Sequence, residues 1–254
     1  MACRCQLDLF VCWDESECGC GRSNKLEFKR CFKREDEIMV KNQAVASQAR
    51  RVGIFGASGS GKTSKARELV RELRRIVIFD ALGDFQGKVF HDLSKLEKAI
   101  SSHFTDFTFI FVPKYGYEVQ QLDKISYMLA RLQSGYKAGQ HSAKMTLLVD
   151  ELDLSFPTGI KIKQPDHGFG FLCCRGRHFG INIIGITQRT AMVDTSFRGN
   201  LSDMYVFRQS EPIDINKSCE ILGRDYRPAL QDLCDFEYIY KSGNHVKIVK
   251  NKKK

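Results

Sequence analysis

The chain has 254 residues, of which 43% are hydrophobic, and it carries a formal net charge of +10 at pH 7. This length and apolar content can bury one sizeable α/β core. No run approaches the roughly 18 to 20 apolar residues of a membrane span, and the N-terminus lacks the apolar region of a signal peptide. We therefore expect a protein without a membrane span, whose basic charge favours a polyanionic partner.

Residues 1–49 form a cysteine-rich segment to which the sequence assigns no role. Six of the ten cysteines lie in it, namely Cys3, Cys5, Cys12, Cys18, Cys20 and Cys31. Two Cys-x-Cys pairs could supply thiolates to zinc, but structural zinc sites usually have two to four residues between paired cysteines. Zinc binding is therefore the less favoured interpretation of these cysteines. The alternatives are that they are free thiols, or that the chain starts at Met39 and the preceding stretch contributes little to the fold.

From residue 51 onward, short β-branched or aromatic runs alternate with longer helical patterns, which is typical of βαβ units and a parallel sheet. The pattern predicts strands near residues 52–55, 75–79, 107–112, 146–150, 181–187 and 204–208. It predicts helices near residues 62–73, 93–101, 118–132, 168–179 and 214–222. Residues 236–240 and 245–249 are expected to form a hairpin on the sheet edge.

The strongest motif follows the first predicted strand and opens the first predicted helix. Residues 56–63 read Gly-Ala-Ser-Gly-Ser-Gly-Lys-Thr, which matches a phosphate-binding P-loop in the required strand–helix context. Glycines allow backbone N–H groups to approach phosphate oxygens. Lys62 would contact the β- and γ-phosphates, and the Thr63 hydroxyl would hold Mg²⁺. The nucleotide contacts are predicted to be Gly56, Ala57, Ser58, Gly59, Ser60, Gly61, Lys62, Thr63 and Ser64.

A second element is the apolar run at residues 145–149, which ends in two adjacent carboxylates. This pattern is typical of a Walker B element. Asp150 would take the Mg²⁺ shell, and Glu151 would polarise the attacking water. The alternative interpretation is that the two acids cap a helix.

A third segment, residues 175–189, reads Arg-Gly-Arg-His-Phe-Gly-Ile-Asn-Ile-Ile-Gly-Ile-Thr-Gln-Arg. The Arg-x-x-Gly and Thr-Gln-Arg stretches resemble the HerA/FtsK superfamily of DNA-pumping ATPases, particularly the packaging ATPases of tailless viruses with double-jelly-roll capsids. The resemblance covers roughly residues 50–224. Supporting features are Phe79-Asp80, Gly83-Asp84-Phe85, Phe111-Val112-Pro113, the run at 204–208 and Glu211-Pro212.

The resemblance implies a RecA/ASCE-like P-loop NTPase fold, with a mostly parallel central sheet flanked by helices and a C-terminal β-hairpin. We expect an ATPase core at residues 50–240. The lysine-rich run at 241–254, which contains no acid, is expected to form a basic tail. The strand that carries Thr-Gln would lie between the two Walker strands, so Gln188 would face the γ-phosphate. Thr190 stands where many relatives have proline, which concerns the following loop more than the sensor.

Members of this superfamily work as rings, in which an arginine of one subunit completes the site of its neighbour. Arg177 matches that arginine best, and Arg175 and Arg189 are the alternatives. Arg177 could instead cap the C-terminal end of a helix, where a cation is favourable.

The resemblance also predicts the partners. We expect a homo-oligomeric ring, a hexamer, that grips double-stranded DNA and docks on capsid vertex proteins. Lys137 in the loop at 134–141, and Lys161 and Lys163 in the loop at 158–163, are the candidate DNA contacts. Ordinary solvated loop lysines are the alternative.

The predicted function is ATP hydrolysis, with ATP and Mg²⁺, coupled to packaging of viral double-stranded DNA into a preformed capsid. The protein would then act in the host cytoplasm and at a packaging vertex of the virion. Alternatives are a filamentous-phage-type assembly ATPase, which shares Phe156-Pro157 after the acids, a cellular HerA/FtsK-like pump, or a non-catalytic adaptor. A GTP switch is disfavoured, because residues 216–219 read Asn-Lys-Ser-Cys and lack the carboxylate that reads guanine.

Overall fold

A computed structural model of the chain describes residues 49–159 and 167–251. Its strands are β1 Arg51–Phe55, β2 Arg75–Phe79, β3 Lys88–Phe90, β4 Phe107–Phe111, β5 Met145–Val149, β6 Ile181–Thr187, β7 Asp203–Phe207, β8 Tyr238–Ser242 and β9 His245–Val249. Its α-helices are α1 Lys62–Val70, α2 Leu93–Ser102, α3 Glu118–Leu132, α4 Ser134–Lys137, α5 Leu152–Ser155, α6 Gly168–Arg175, α7 Thr195–Arg198, α8 Pro212–Leu222 and α9 Arg227–Gln231. Short 3-10 helices cover Gly176–Phe179, Thr190–Met192 and Arg224–Tyr226.

The strands of the described residues form one sheet in the order β3-β4-β2-β5-β6-β1-β7-β8-β9. Neighbouring strands from β3 to β7 run parallel, and β8 and β9 add an antiparallel hairpin at one edge. This architecture confirms the predicted α/β fold with a mostly parallel sheet and a C-terminal hairpin. It also confirms that the strand carrying Thr-Gln lies between the two Walker strands, because β6 pairs with both β1 and β5.

The central strands are buried on both faces, which explains why they read as nearly continuous apolar runs. Each residue of β1, β2, β5 and β7 is buried. Alternate side chains enter two separate cores, because successive residues of a strand point to opposite faces. One core contains Phe55, Val77, Leu147 and Ile183, and the other contains Ile54, Ile78, Leu148 and Ile184.

Several element boundaries differ from the prediction. Strand β3 was not predicted, because its three residues are largely exposed and carry no apolar run. The helix expected over 168–179 is α-helical only to Arg175 and continues as the 3-10 helix Gly176–Phe179. The hairpin begins at Tyr238 rather than at residue 236, because Phe236 has a φ of 66° and cannot continue a strand.

The hairpin is held to the sheet by a buried carboxylate on β7. The Tyr240 hydroxyl donates a hydrogen bond to Asp203 Oδ1 at 2.6 Å, and Arg50 forms an ion pair with the same carboxylate at 2.7 Å. Burial raises the pKa of Asp203, but the hydrogen bonds from Arg50, Tyr240 and Ser202 outweigh it and lower the pKa to about 2. The basic tail was expected to begin at residue 241. Two of its lysines belong to this hairpin instead, because Lys241 lies in β8 and Lys247 in β9.

We predict that Tyr240→Phe lowers the free energy of unfolding by about 1.5 kcal/mol at pH 7, the lower end of the range for a hydrogen bond to a charged group, because this bond is only partly buried. Because the folded pKa of Asp203 lies below its ordinary value, its stabilising contribution is present above about pH 4 and is lost as the pH falls towards 2. The difference between the two proteins should therefore shrink on acidification. Urea unfolding at pH 7 and at pH 3 measures both effects.

Tyr115→Phe is the matched control, because Tyr115 is 95% exposed in the loop after β4. Equal unfolding midpoints for wild type and Tyr240→Phe at pH 7 would contradict the assigned role of this hydrogen bond.

Candidate active site

The P-loop leaves β1 at the carboxyl edge of the sheet and ends where α1 begins at Lys62. Backbone bonds fix it on both sides, since Gly56 N donates to Thr187 O at 3.3 Å and Ala57 N donates to Arg208 O at 2.8 Å. Gly61 has a φ of 108°, and a Cβ at this position would lie 2.8 Å from Phe236 Cδ1. Only glycine fits there without displacing its neighbours.

Two polar side chains of the P-loop, Lys62 and Ser60, are buried. Lys62 is 7% exposed, and its Nζ donates to Ala57 O at 2.9 Å, so the cation lies folded over the loop. Burial lowers the pKa of Lys62, while the charges of Glu151 and Asp150 raise it. The Ser60 hydroxyl is buried and has no hydrogen-bond partner among the described residues. A bound phosphate would supply partners for both groups.

The two acids follow β5 directly and occupy the neighbouring region of the same edge. Asp150 is 3% exposed, and its Oδ1 accepts a hydrogen bond from Glu151 N at 3.1 Å. Glu151 has a φ of 44°, a left-handed conformation that costs about 1 to 3 kcal/mol for a residue with a side chain. Glu151 stands at the N-cap of α5, but its side chain makes no capping bond, which argues against the helix-cap interpretation.

Gln188 follows β6 and contacts the second acid. Its Nε2 donates to Glu151 Oε1 at 2.6 Å, and the preceding Thr187 hydroxyl donates to Asp153 Oδ1 at 2.7 Å. Burial raises the pKa of Glu151, and the Gln188 hydrogen bond partly opposes that rise. The structure therefore brings Lys62, Asp150, Glu151 and Gln188 to one part of the sheet edge.

Asp150 carries the largest electrostatic cost at this edge. Burial, and then the negative charges of Glu151, Asp80 and Asp84, raise its pKa to about 7. A buried carboxylate in such surroundings fits a hard divalent cation. The half-buried Thr63 hydroxyl, on α1, would be the second oxygen ligand that the sequence predicts. No group of three or more His, Cys, Asp or Glu in the described residues forms a metal cage. Mg²⁺ suits this sparse donor set, because it retains water and phosphate ligands.

Arg177 lies at the opposite edge of the sheet. It belongs to the 3-10 helix that precedes β6, whereas Gln188 follows β6, and the seven residues of this strand span about 23 Å. The exposed Arg177 guanidinium makes no hydrogen bond or ion pair with another described residue. Arg177 therefore cannot reach a triphosphate on its own P-loop.

The other candidate residues have different surroundings. Arg189 Nε donates to Asp214 Oδ2 at 2.9 Å, so this arginine is engaged by a carboxylate that is 1% exposed. Lys137 ends α4, with its Nζ 5.2 Å from the centre of the Phe179 ring. The predicted DNA contacts Lys161 and Lys163 lie outside the described residues, as do the six N-terminal cysteines.

Two contacts of the site lack a sequence signal. The carbonyl of Arg208 holds the P-loop, but any residue type could supply a backbone oxygen. Phe236 N donates to Ser60 O at 2.8 Å, a contact between distant parts of the chain that only the fold reveals.

Comparison with known proteins gives a match to one family model. Residues 35–124 match the family model described as "Helicase HerA, central domain". No curated protein matches the chain in sequence. The family match bears out the resemblance to HerA-type ATPases that the motifs indicated. Among the described residues, no helix is both long and apolar enough to cross a bilayer.

Solved structures with this fold include viral packaging enzymes. The genome packaging NTPase B204 of Sulfolobus turreted icosahedral virus 2, in complex with AMPPCP, has a TM-score of 0.62 at 14% identity, covering 81% of this chain and 99% of that chain. B204, the DNA-packaging ATPase of Sulfolobus turreted icosahedral virus, has a TM-score of 0.57 at 15% identity, covering 78% of this chain and 96% of that one. VirB4 of Thermoanaerobacter pseudethanolicus has a TM-score of 0.51 at 11% identity, covering 82% and 91%. These likenesses confirm the P-loop ATPase fold.

We predict that Glu151→Gln lowers the rate of ATP turnover about 10²- to 10⁴-fold, the usual contribution of a positioned base. ATP affinity should change little, because the glutamine amide retains the size of the side chain. Steady-state phosphate release and equilibrium ATP binding measure the two quantities. Glu72→Gln, an exposed acid just after α1, is the control, and turnover within threefold of wild type in Glu151→Gln would exclude Glu151 as the base.

We predict that Asp150→Asn stabilises the nucleotide-free, Mg²⁺-free protein at pH 8. Because the folded pKa is about 7 rather than the ordinary 3.8, ionising Asp150 costs up to about 4 kcal/mol in the folded state. The free energy of unfolding of wild type should therefore fall as the pH rises from about 4 to 7, whereas that of the variant should not. The difference between the two proteins should accordingly be small at pH 4. Urea unfolding at pH 4 and pH 8 tests this, and a variant less stable than wild type at pH 8 would contradict it.

Proposed function

We propose that this chain is an ATP-hydrolysing motor that translocates double-stranded DNA and packages a viral genome into a preformed capsid. The observation that carries the proposal is the convergence of Lys62, Glu151 and Gln188 at the carboxyl edge of the sheet, with Gln188 bonded to Glu151 at 2.6 Å. The fold shared with the packaging NTPase B204 supports the DNA-packaging role.

The chemistry proposed for this edge is hydrolysis of the γ-phosphate of ATP. The N–H groups of residues 56–64 bind the phosphates, and Lys62 moves from Ala57 O to the β- and γ-phosphate oxygens. Glu151 orients water for attack on the γ-phosphorus and accepts its proton, while the bond from the γ-phosphorus to the bridging oxygen breaks. Mg²⁺, held by Thr63 and Asp150, would neutralise charge on the phosphates.

We propose that Arg177 acts on the ATP of a neighbouring subunit in a homo-hexameric ring. Its position at the amino edge of the sheet rules out contact with ATP on its own P-loop and leaves its guanidinium available to the ATP of another subunit. The surroundings of Arg177 favour a polyphosphate. Burial, and then the cations Arg177, Lys137 and Arg175, lower the pKa of His178. This edge is therefore positive and suited to an incoming triphosphate.

DNA would be gripped through its phosphates, without base reading, by Lys137, Lys161 and Lys163. Lys161 and Lys163 come shortly after Glu151 in the chain, which would couple the grip to hydrolysis. Lys137 lies beside Arg177 and His178, so a DNA contact there would adjoin the subunit boundary. Packaging would place the motor in the host cytoplasm, at a capsid vertex.

The proposal is tested by the ATPase rate of the full chain with and without duplex DNA, at about 50 mM and 200 mM salt. We expect duplex DNA to stimulate turnover at the lower salt and to stimulate it less at the higher salt, because phosphate contacts release counterions. Glu151→Gln controls for contaminating ATPases. A turnover rate that DNA leaves unchanged would reject the translocase and favour an assembly ATPase, and the absence of turnover would favour a non-catalytic adaptor.

We predict that Arg177→Ala binds ATP as wild type does but turns it over about 10³- to 10⁵-fold more slowly, the usual effect of an arginine supplied in trans. Mixing Arg177→Ala with Glu151→Gln subunits should restore part of the activity, because some interfaces then combine an intact glutamate with an intact arginine. Arg71→Ala, an exposed arginine just after α1, is the control. Mixed rings no more active than the separate variants would contradict action in trans.

A further inference from the structure

Phe236 combines exposure with an unfavourable backbone conformation. The residue is 58% exposed in the loop before β8, although burial would stabilise an aromatic side chain. Its φ of 66° lies in the left-handed region, where bulky residues are rare. Among the described residues, Glu151 is the one other non-glycine residue with a positive φ. An exposed ring held in such a conformation indicates a role other than packing.

Three contacts attach the Phe236 loop to the P-loop. Phe236 N donates to Ser60 O at 2.8 Å. Asp235 Oδ1 accepts from Arg208 Nη2 at 2.9 Å, and the Arg208 carbonyl holds Ala57 N. The Phe236 ring lies so close to Gly61 that a Cβ there would be 2.8 Å from its Cδ1. The ring is therefore a fixed part of the P-loop's surroundings.

The order of the strands gives the direction of a bound nucleotide. Glu151 and Gln188 follow β5 and β6, which lie on one side of β1, so the γ-phosphate points to that side. The N–H groups of a P-loop bind the α- and β-phosphates, so the nucleoside extends to the other side. Strands β7 and β8 lie there, and Phe236 lies two residues before the start of β8.

We propose that the Phe236 ring is the surface on which the base of the bound nucleoside triphosphate stacks. The inference rests on the nucleotide site of the proposed function and adds the residue that recognises the nucleoside half. Stacking on a flat ring accepts any base, since every base has a π-face. Phe236 therefore selects nucleoside triphosphates over inorganic polyphosphate.

The test compares two probes in the full chain, with Mg²⁺ present: AMPPCP, which has a base, and inorganic tripolyphosphate, which has none. Base–aromatic stacking predicts that Phe236→Ala weakens AMPPCP binding about 5- to 100-fold. Binding of tripolyphosphate should change less than twofold. Phe236→Trp should retain AMPPCP affinity. Tyr115→Ala is the control, because Tyr115 is 95% exposed at the same edge, beyond β4 and four strands from β1.

Equal loss of both probes in Phe236→Ala would overturn the proposal, because the ring would then only support the P-loop. Unchanged AMPPCP binding in Phe236→Ala would also overturn the proposal. The exposed ring would then be assigned to a contact with another subunit or with DNA. Phe236→Gly separates function from folding: glycine tolerates the left-handed conformation, so its melting temperature should not fall while AMPPCP affinity does. If wild type binds AMPPCP through Phe236 but DNA leaves its ATPase rate unchanged, the DNA-packaging proposal is rejected and the base-stacking proposal is retained.

Discussion

Strands β5, β6 and β1 are hydrogen-bonded neighbours, and all three run parallel. Their carboxyl ends therefore meet at one edge of the sheet, about 4.8 Å from strand to strand. Each strand delivers one part of the site there: the acids after β5, Gln188 after β6 and the P-loop after β1. The contact between Gln188 and Glu151 is a direct consequence of this order, and so is the separation of Arg177 at the other edge.

The edge holds unfavourable features that a ligand would relieve. Glu151 and Phe236, on opposite sides of β1, both have left-handed backbones, and Asp150 has a pKa of about 7 because it is buried among other carboxylates. The Ser60 hydroxyl has no partner among the described residues. Strain and buried charge of this kind collect where a site is organised for binding. A metal–triphosphate complex would supply the missing cation and the missing acceptors.

The local motifs were predictable, because each lies within one continuous run. The P-loop, the Asp150–Glu151 pair and Gln188 each follow an apolar strand, and strands buried on both faces are readily recognised. Features that depend on contacts between distant parts of the chain could not be predicted from the sequence. Strand β3 has three mostly exposed residues, and Phe236 acquires its place only through its bond to Ser60. Arg189 was an alternative to Arg177 for the arginine that acts in trans, but the fold places it against buried Asp214.

We propose that Glu151 and Gln188, joined by a 2.6 Å hydrogen bond, act as one catalytic unit at this edge. A double-mutant cycle measures this coupling through the ATP turnover of Glu151→Gln, Gln188→Ala and the double variant. If Gln188 acts through Glu151, the double variant should turn over within about threefold of Glu151→Gln alone, because groups that act as a unit are not additive. Losses that multiply in full would show that the two residues act independently and would contradict a shared catalytic role.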